Sequence, residues 1–313
     1  MPYRLKARES IPENIRRIVT EEIDSALGQL RERSIGKRDE AIHEARKSIK
    51  KIRGVLKLMR PELGVTYDTE NESLRNIGAK LSELRDAGAM IETLGSLIGS
   101  YSEKLQKKTL SAIRRGLELD KREKEKSLRP AKAMQEAAAG LMSFRKRVSK
   151  WPLSSDGFGA IAAGLQQTYR DGRKAMANAN RKKTPELYHE WRKRAKDHWY
   201  HIRLLESLWT EVMEARESSL HDLETWLGED HNLVVLQERM KANPGRFGSE
   251  KDIALVRALA DDHQNDLRRN SSLSGQRLYE EKPKQFVRGM RKLWDAWIAH
   301  PGRMKRLKQQ GAA

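Results

Sequence analysis

Two octapeptides carry many of the side chains in this sequence that could bind an anion. Residues 43–50 read HEARKSIK and residues 189–196 read HEWRKRAK, so both follow the pattern H-E-x-R-K-x-x-K. Arginine and lysine donate charge-assisted hydrogen bonds to anionic oxygens, and the planar guanidinium group can bind two oxygens at once. Histidine adds a donor whose charge depends on pH. The pattern therefore predicts an anion-binding site that is built twice.

Each octapeptide belongs to an amphipathic helix, with residues placed about every 100°. In the first copy Ile42, Ala45, Ile49, Ile52 and Leu56 share one side, at the spacing of a helix packed in a bundle. The opposite side, basic face 1, carries His43, Arg46, Lys47, Lys50, Arg53 and Lys57. The corresponding basic face 2 carries His189, Arg192, Lys193, Lys196 and Arg203.

The two basic faces carry more positive charge than a solvated helix surface requires. Residues 37–60 hold nine basic and three acidic residues, and residues 181–203 hold eight and three. Like charges one helical turn apart repel each other, whereas a solvated face usually mixes signs. The two copies also agree better on the basic faces than on the apolar ones. Polyanion binding is thus favoured over the alternative of simple solubility.

An internal duplication extends beyond the octapeptides. An offset of 146 residues aligns Lys57 with Arg203, Leu81 with Leu227 and Asp86 with Asn232 without a gap. A chance match would not keep its register over roughly 80 residues. We predict two related halves, residues 1–150 and 151–302, joined through a Gly/Pro/Ser-rich linker at 151–159 and followed by a basic tail at 303–313.

Composition narrows the class of protein. The 313 residues carry a net charge of +19 and contain no cysteine, which excludes disulfides, thiolate nucleophiles and cysteine-ligated metals. No signal-peptide core or membrane span is visible, so we expect a soluble, cytoplasmic protein without a membrane partner. Capping boxes or close relatives begin at Ser10, Thr69, Ser100 and Ser249. These patterns, together with helix stops and the absence of alternating strand patterns, predict an all-α fold of about ten helices. The expected helices are 12–33, 38–60, 69–97, 101–126, 130–149, 157–179, 185–209, 213–241, 250–270 and 276–299, with Pro283 kinking or splitting the last one.

Other chemistries stay open at this stage. A non-specific nucleic-acid binder would share the positive charge, but aromatic residues make up only 6% of the chain and few interleave with the cations. The dipeptides Asp197-His198 and Asp262-His263 are short matches to a metal-dependent phosphohydrolase. His198 and His201 lie one turn apart, yet a zinc site needs three or four converging ligands, so we expect no metal and no other cofactor.

The sequence resembles the CHAD domain (conserved histidine α-helical domain) over roughly residues 3–300. The resemblance rests on the two H-x-x-R-K motifs and on short segments elsewhere, namely Tyr3-Arg4-Leu5, Ile15-Arg16-Arg17, Leu84-Arg85-Asp86, residues 227–232 (LGEDHN) and the closing Trp294-x-x-Trp297. The second copy departs from many relatives in carrying Asp197 and Trp199 where they have arginines. For Leu84-Arg85-Asp86 we favour an ion pair within the bundle over contact with a ligand.

This resemblance implies two helical bundles related by a pseudo-two-fold axis and a basic central surface that binds inorganic polyphosphate without catalysis. It also allows a location on polyphosphate granules. The binding residues it implies are His43, Arg46, Lys47, Lys50, Arg53, Lys57, His189, Arg192, Lys193, Lys196 and Arg203. The two histidines, beside so many cations, are expected to be neutral in the empty site and to protonate when phosphate binds, so that lower pH tightens binding. The alternative is that each histidine caps or hydrogen-bonds a neighbouring helix.

Overall fold

The computed structural model describes residues 3–32, 34–101 and 107–300, with side chains for all of these except 35, 83–87 and 107–110. Helices fill almost all of this part of the chain and no strand occurs in it, which confirms the predicted all-α fold. None of the helices described combines the length and the apolar character needed to cross a membrane. The predicted tail and the motif at 84–86 lie outside the described residues or side chains.

The described residues of the first half contain six α-helices. In order they are α1 (Ile11–Leu30), α2 (Arg38–Leu58), the short α3 (Arg60–Leu63), α4 (Val65–Tyr101), α5 (Lys107–Leu128) and α6 (Pro130–Val148). The capping box predicted at Ser10 is confirmed, because its side chain accepts a hydrogen bond from the backbone of Glu13, whose side chain reaches back. The capping boxes predicted at Thr69 and Ser100 are wrong. Both residues lie inside α4, which begins directly after Gly64, where the chain adopts a positive φ of 51°.

Up to residue 300, where the described part of the chain ends, the second half contains five α-helices. These are α7 (Gly157–Lys182), α8 (Pro185–Leu204), α9 (Thr210–Ala242), α10 (Glu250–Leu278) and α11 (Pro283–Ala299). The capping box predicted at Ser249 is confirmed at the start of α10. Pro283 begins α11 instead of interrupting a longer helix, because proline lacks the N–H that a helix interior needs but fits the first turn.

The α-helices of the two halves follow the same order in the described part of the chain. Helices α1, α2, α4, α5 and α6 correspond to α7, α8, α9, α10 and α11, and the short α3 corresponds to a 3₁₀ turn at Glu206–Leu208. This correspondence supports the predicted duplication, which itself stays a prediction, as do the two predicted half-chain units. The predicted linker at 151–159 contributes buried side chains, because Trp151 is 3% and Leu153 is 8% exposed. It is therefore packed into the fold.

Helices α2 and α8 cross at positions that the repeat makes equivalent. A Cβ atom on Gly54 would lie 3.0 Å from the Cβ of Tyr200, and these two residues are separated by the repeat offset of 146. The ring Nε2 of His201 lies 2.9 Å from the carbonyl oxygen of Gly54 across the same crossing. A residue can meet its own counterpart only near an axis that relates the halves. This crossing fixes where the two basic faces stand relative to each other.

The hydrophobic core behind the crossing is shared by both halves. One cluster of buried side chains extends from Tyr3 to Trp294 and includes the apolar faces of α1, α2, α7 and α8. A second cluster joins the distal parts of α4, α5, α9 and α10. Because the clusters cross from one half to the other, each half buries apolar surface against its partner and their relative position is held by packing.

Close packing of α7 against the end of α2 gives a stability prediction. A Cβ atom added at Gly164 would overlap the backbone carbonyl oxygen of Leu58, which cannot move without distorting α2. We expect Gly164→Ala to lower the free energy of unfolding by about 1–3 kcal/mol in urea denaturation. Gly95→Ala is the control, because no atom lies within 4 Å of the added carbon and it should stabilise α4 by about 0.5–1 kcal/mol. Equal effects of the two substitutions would contradict the packing described here.

Candidate anion-binding site

The crossing of α2 and α8 creates a cation-lined cavity, which we call the trough. Its volume is about 820 Å³, and its walls come from α2, α4, α5, α8 and α9. Seven of the eleven sequence-predicted residues line it, namely His43, Arg46, Lys47, Lys50, His189, Arg192 and Lys196. All seven precede the Gly54–Tyr200 crossing in their helices. The structure therefore brings the N-terminal parts of the two basic faces together.

The other four predicted residues do not line the trough. Three lie close to the crossing or beyond it: Arg53 donates to Asn71 at 3.0 Å, Lys57 pairs with Asp197, and Arg203 pairs with Glu217 at 3.2 Å. Lys193 precedes the crossing but is exposed and pairs with Glu190 on its own helix at 3.2 Å. A helix face continues along its whole length, but only one side of the crossing opens into the cavity.

Lys50 and Lys196 line the trough from equivalent positions of α2 and α8. Each lies four residues, about one helical turn, before the residue at the crossing, so the two amines are equivalents in the repeat. Burial, and then the charges of Lys196, Arg46 and Arg192, lower the pKa of Lys50 from 10.5 to about 7. Among the described residues no carboxylate is bonded to Lys50. The carboxylates around the trough thus do not fully neutralise its positive charge.

Glu224 on α9 is a buried carboxylate bonded to two of the trough cations. It is 7% exposed and lies 2.6 Å from Lys196 and 3.1 Å from Arg192. Burial opposes its ionisation, but the neighbouring cations outweigh burial and hold the pKa of Glu224 below its ordinary value. The equivalent position in the first half is Gly78, which has no side chain. At this repeat position the second half supplies a counter-ion and the first half does not.

The two predicted histidines occupy different surroundings. The ring of His189 lies 3.9 Å, centre to centre, from that of His231 on α9. Burial, and then the charge of His231, lower the pKa of His189 to about 4, so it is neutral at physiological pH. His43 is 51% exposed, with its Nε2 3.9 Å from the carboxylate of Glu44. The expected tightening of binding at low pH stays a prediction. Among these groups Lys50, with a pKa of about 7, is the one that gains a proton in the pH range where the tightening is expected.

Sequence reasoning missed several residues of the trough wall. They are Lys124, Trp199, His221, Glu224 and Arg239, together with polar and apolar residues of α4. The segment at 227–232 carried a signal, because its members Gly228, Glu229, His231 and Asn232 all line the cavity. A Cβ atom on Gly228 would lie 3.0 Å from the Nε of Arg192, so glycine leaves room for that guanidinium group. No pattern in the sequence marked Glu224 or Lys124.

The residues considered for metal or hydrolase chemistry lie outside the trough. His198 packs against Tyr169 and Phe286 with ring centres 5.4 and 5.5 Å away, and both His198 and His201 are fully buried. Asp197 pairs with Lys57, while Asp262 accepts a hydrogen bond from Tyr101 at 3.0 Å. Within the described part of the chain no three potential metal ligands converge. These side chains have structural partners of their own.

An all-α fold with a cation-lined trough at the crossing of two helices defines the class of this protein. The family model for the CHAD domain matches residues 18–241, and the chain belongs to this family. No curated protein matches the sequence.

Two solved structures share the fold. The crystal structure of the CHAD domain from the plant Ricinus communis is 15% identical, with a TM-score of 0.61 over 90% of this chain and 96% of that one. PptA from Streptomyces chartreusis is 13% identical, with a TM-score of 0.58 over 87% of this chain and all of that one. At these identities the likeness concerns the arrangement of helices.

The depressed pKa of Lys50 predicts a pH-dependent cost to stability. In the unfolded chain this amine has a pKa near 10.4. Between about pH 7 and 10 the unfolded state therefore binds more protons than the folded state, so the free energy of unfolding rises with pH in this range. Lys50→Met removes this cost. We expect it to raise the free energy of unfolding at pH 7 on the order of 2 kcal/mol, allowing for solvent screening of a partly exposed group.

The gain from Lys50→Met should shrink as the pH is raised towards 10, and urea denaturation at several pH values would measure it. Lys174→Met, at an exposed position of α7, is the control, for which little change is expected. A gain from Lys50→Met that did not vary with pH would mean that Lys50 is charged in the folded protein.

Proposed function

We propose that this protein is a non-catalytic binding module for inorganic polyphosphate and that the trough is its binding site. Membership of the CHAD family supports a polyphosphate-associated module. The observation that carries the proposal is the juxtaposition of Lys50 and Lys196, with Arg46 and Arg192, in one cavity. Burial there, and then the charges of these cations, lower the pKa of Lys50 to about 7. Like charges kept together in this way favour an anionic ligand that neutralises them.

A linear phosphate chain matches the shape of this charge. The cations come from two helices that cross, so they form two converging rows of donors with no pocket specific for a base or a sugar. Each phosphate unit carries about one negative charge, and every contact with lysine or arginine is a charge-assisted hydrogen bond. Arg46 and Arg192 can each bind two oxygens, while the lysines act as point charges. Displacement of counterions from the chain adds a favourable, salt-dependent entropy.

The aromatic residues of the trough argue against a nucleic-acid ligand. Trp199 and Tyr200 are 7% and 2% exposed, and their rings stack on each other with centres 5.0 Å apart. Lys196 lies over the Trp199 ring at 5.6 Å. Rings that are already covered cannot provide the stacking platform on which single-stranded binding depends. A ligand recognised through its backbone charge alone fits better.

Removal of trough cations should abolish most of the binding. We expect the double variant Arg46→Gln, Lys50→Met to bind long-chain polyphosphate at least tenfold more weakly than the wild type at moderate salt, because each substitution removes a charge-assisted contact of about 1.5 kcal/mol or more. Isothermal titration calorimetry at two salt concentrations would also show a smaller salt dependence for the variant. These two sites leave the Glu224 ion pairs intact.

The matched control removes the same residue types from the exposed surface of α7, as Arg170→Gln, Lys174→Met. This control should bind nearly as well as the wild type. Equal losses in both double variants would show that net charge alone attracts the chain, and the trough would then not be the binding site.

Competition with nucleic acid tests the choice of ligand. At equal phosphate concentration, long-chain polyphosphate should displace labelled single-stranded DNA from the protein, whereas DNA should displace polyphosphate poorly. Fluorescence anisotropy with either labelled polymer measures this. The reverse order of displacement would contradict the proposal and support the nucleic-acid alternative. Release of orthophosphate on incubation with polyphosphate and Mg²⁺ or Mn²⁺ would contradict the non-catalytic assignment.

A further inference from the structure

Lys50 differs from an ordinary surface lysine in its surroundings. Arg46 lies one turn before it on α2, and Lys196 occupies the equivalent place on α8, at the same distance in sequence from the crossing. Arg192 lies one turn before Lys196, and Glu224 is bonded to these two second-half cations. The amine of Lys50 therefore borders an anion-binding cavity at a place where added positive charge is unfavourable.

We propose that Lys50 is an acylation site of this protein, at which its ε-amine takes the acyl group of a small acyl phosphate that binds in the trough. The reaction is an acyl transfer without any change of oxidation state. The lone pair of Nζ attacks the carbonyl carbon, and the bond between this carbon and the phosphoryl oxygen breaks. Inorganic phosphate leaves with the electron pair, Nζ loses a proton to phosphate or solvent, and an amide remains.

The trough meets two requirements of this reaction at once. The first is an amine with a free lone pair. With a pKa of about 7, Lys50 is unprotonated in about half of the molecules at neutral pH. A lysine with a pKa of about 10.4 is unprotonated in only roughly one molecule in a few thousand. The second is a site for the phosphoryl group, which Arg192 and Lys196 can bind next to that amine. The cavity, at about 820 Å³, has ample room for a small acyl phosphate.

Two other lysines provide internal comparisons. Lys51 is adjacent in sequence, but its amine is bonded to Glu22 at 2.7 Å and is away from the trough wall. Lys174 is exposed on α7 and has no role in the cavity. Neither combines an amine beside like charges with a neighbouring phosphate-binding group. We therefore expect acylation to discriminate among the three lysines.

Acetyl phosphate and a neutral donor, N-hydroxysuccinimidyl acetate, separate the two requirements. The full chain is incubated with each donor at pH 7, and acetylation of every lysine is followed by peptide mass spectrometry after digestion with a protease that does not cleave at lysine. With acetyl phosphate, Lys50 should be acetylated at least tenfold faster than Lys51 or Lys174. Lys50→Arg should abolish this modification, and tripolyphosphate in excess should slow it at Lys50 without affecting Lys174.

The neutral donor should show a smaller preference for Lys50, because it has no phosphoryl group to be bound. Arg192→Gln should reduce the preference for Lys50 more with acetyl phosphate than with the neutral donor. A substitution that changed only the reactivity of the amine would reduce the preference equally with both donors. Acetylation of Lys50 no faster than Lys174 would overturn the proposal, and so would an equal preference with both donors. The preference of acetyl phosphate for Lys50 does not depend on polyphosphate as the ligand. If the proposed function failed, this preference would remain and only the competition by tripolyphosphate would be lost.

Discussion

Electrostatic repulsion between cations at the α2–α8 crossing is the constraint on which the rest of this structure depends. Lys50 and Lys196 are held near each other because their helices are fixed by apolar faces on the opposite side, where Ile49, Ile52 and Trp191 are buried. The hydrophobic gain from these faces is large enough to offset an unfavourable contact of like charges. If the helices could separate or rotate, the repulsion would be relieved and the trough would be lost. The shared core thus keeps the cations close without a ligand.

Basic faces 1 and 2 differ in the carboxylates that neighbour their cations. On basic face 2, Arg192 and Lys196 share the carboxylate of Glu224. The counterpart of Glu224 in the first half is Gly78, which has no side chain. An anion that reaches Arg192 or Lys196 therefore competes with a side chain that is already bonded to them, whereas at Lys50 it meets no such bonded carboxylate among the described residues. Helices α2 and α8 carry similar cations, and α9 makes their surroundings different. The free energy of anion binding at basic face 2 therefore includes the cost of displacing or sharing Glu224.

The fold and part of the site could be predicted from the sequence because their signals are local or periodic. The apolar spacing predicted α2 and α8, and the repeated octapeptide gave seven residues of the trough. The sequence could not show that only one side of the Gly54–Tyr200 crossing opens into a cavity, which depends on the packing angle of two helices distant in the chain. For the same reason it missed Glu224 and grouped Lys57 with the site, although Lys57 pairs with Asp197. Pairs of this kind arise only when remote segments meet.

The same physical effect joins the anion affinity of the trough to the chemical reactivity of Lys50. Cations that surround an amine make its protonation unfavourable, and the same cations make the entry of a phosphate group favourable. A long polyphosphate chain brings more negative charge than Arg192 and Lys196 neutralise, so it reverses the balance, and Lys50 gains a proton and becomes a further donor to the ligand. The smaller charge of a single acyl phosphate is balanced by these two cations, so Lys50 keeps a free lone pair beside it. A buried group with a strongly shifted pKa is costly to the folded state, and such groups concentrate at functional sites, which is why Lys50 distinguishes this surface from other basic helices of the protein.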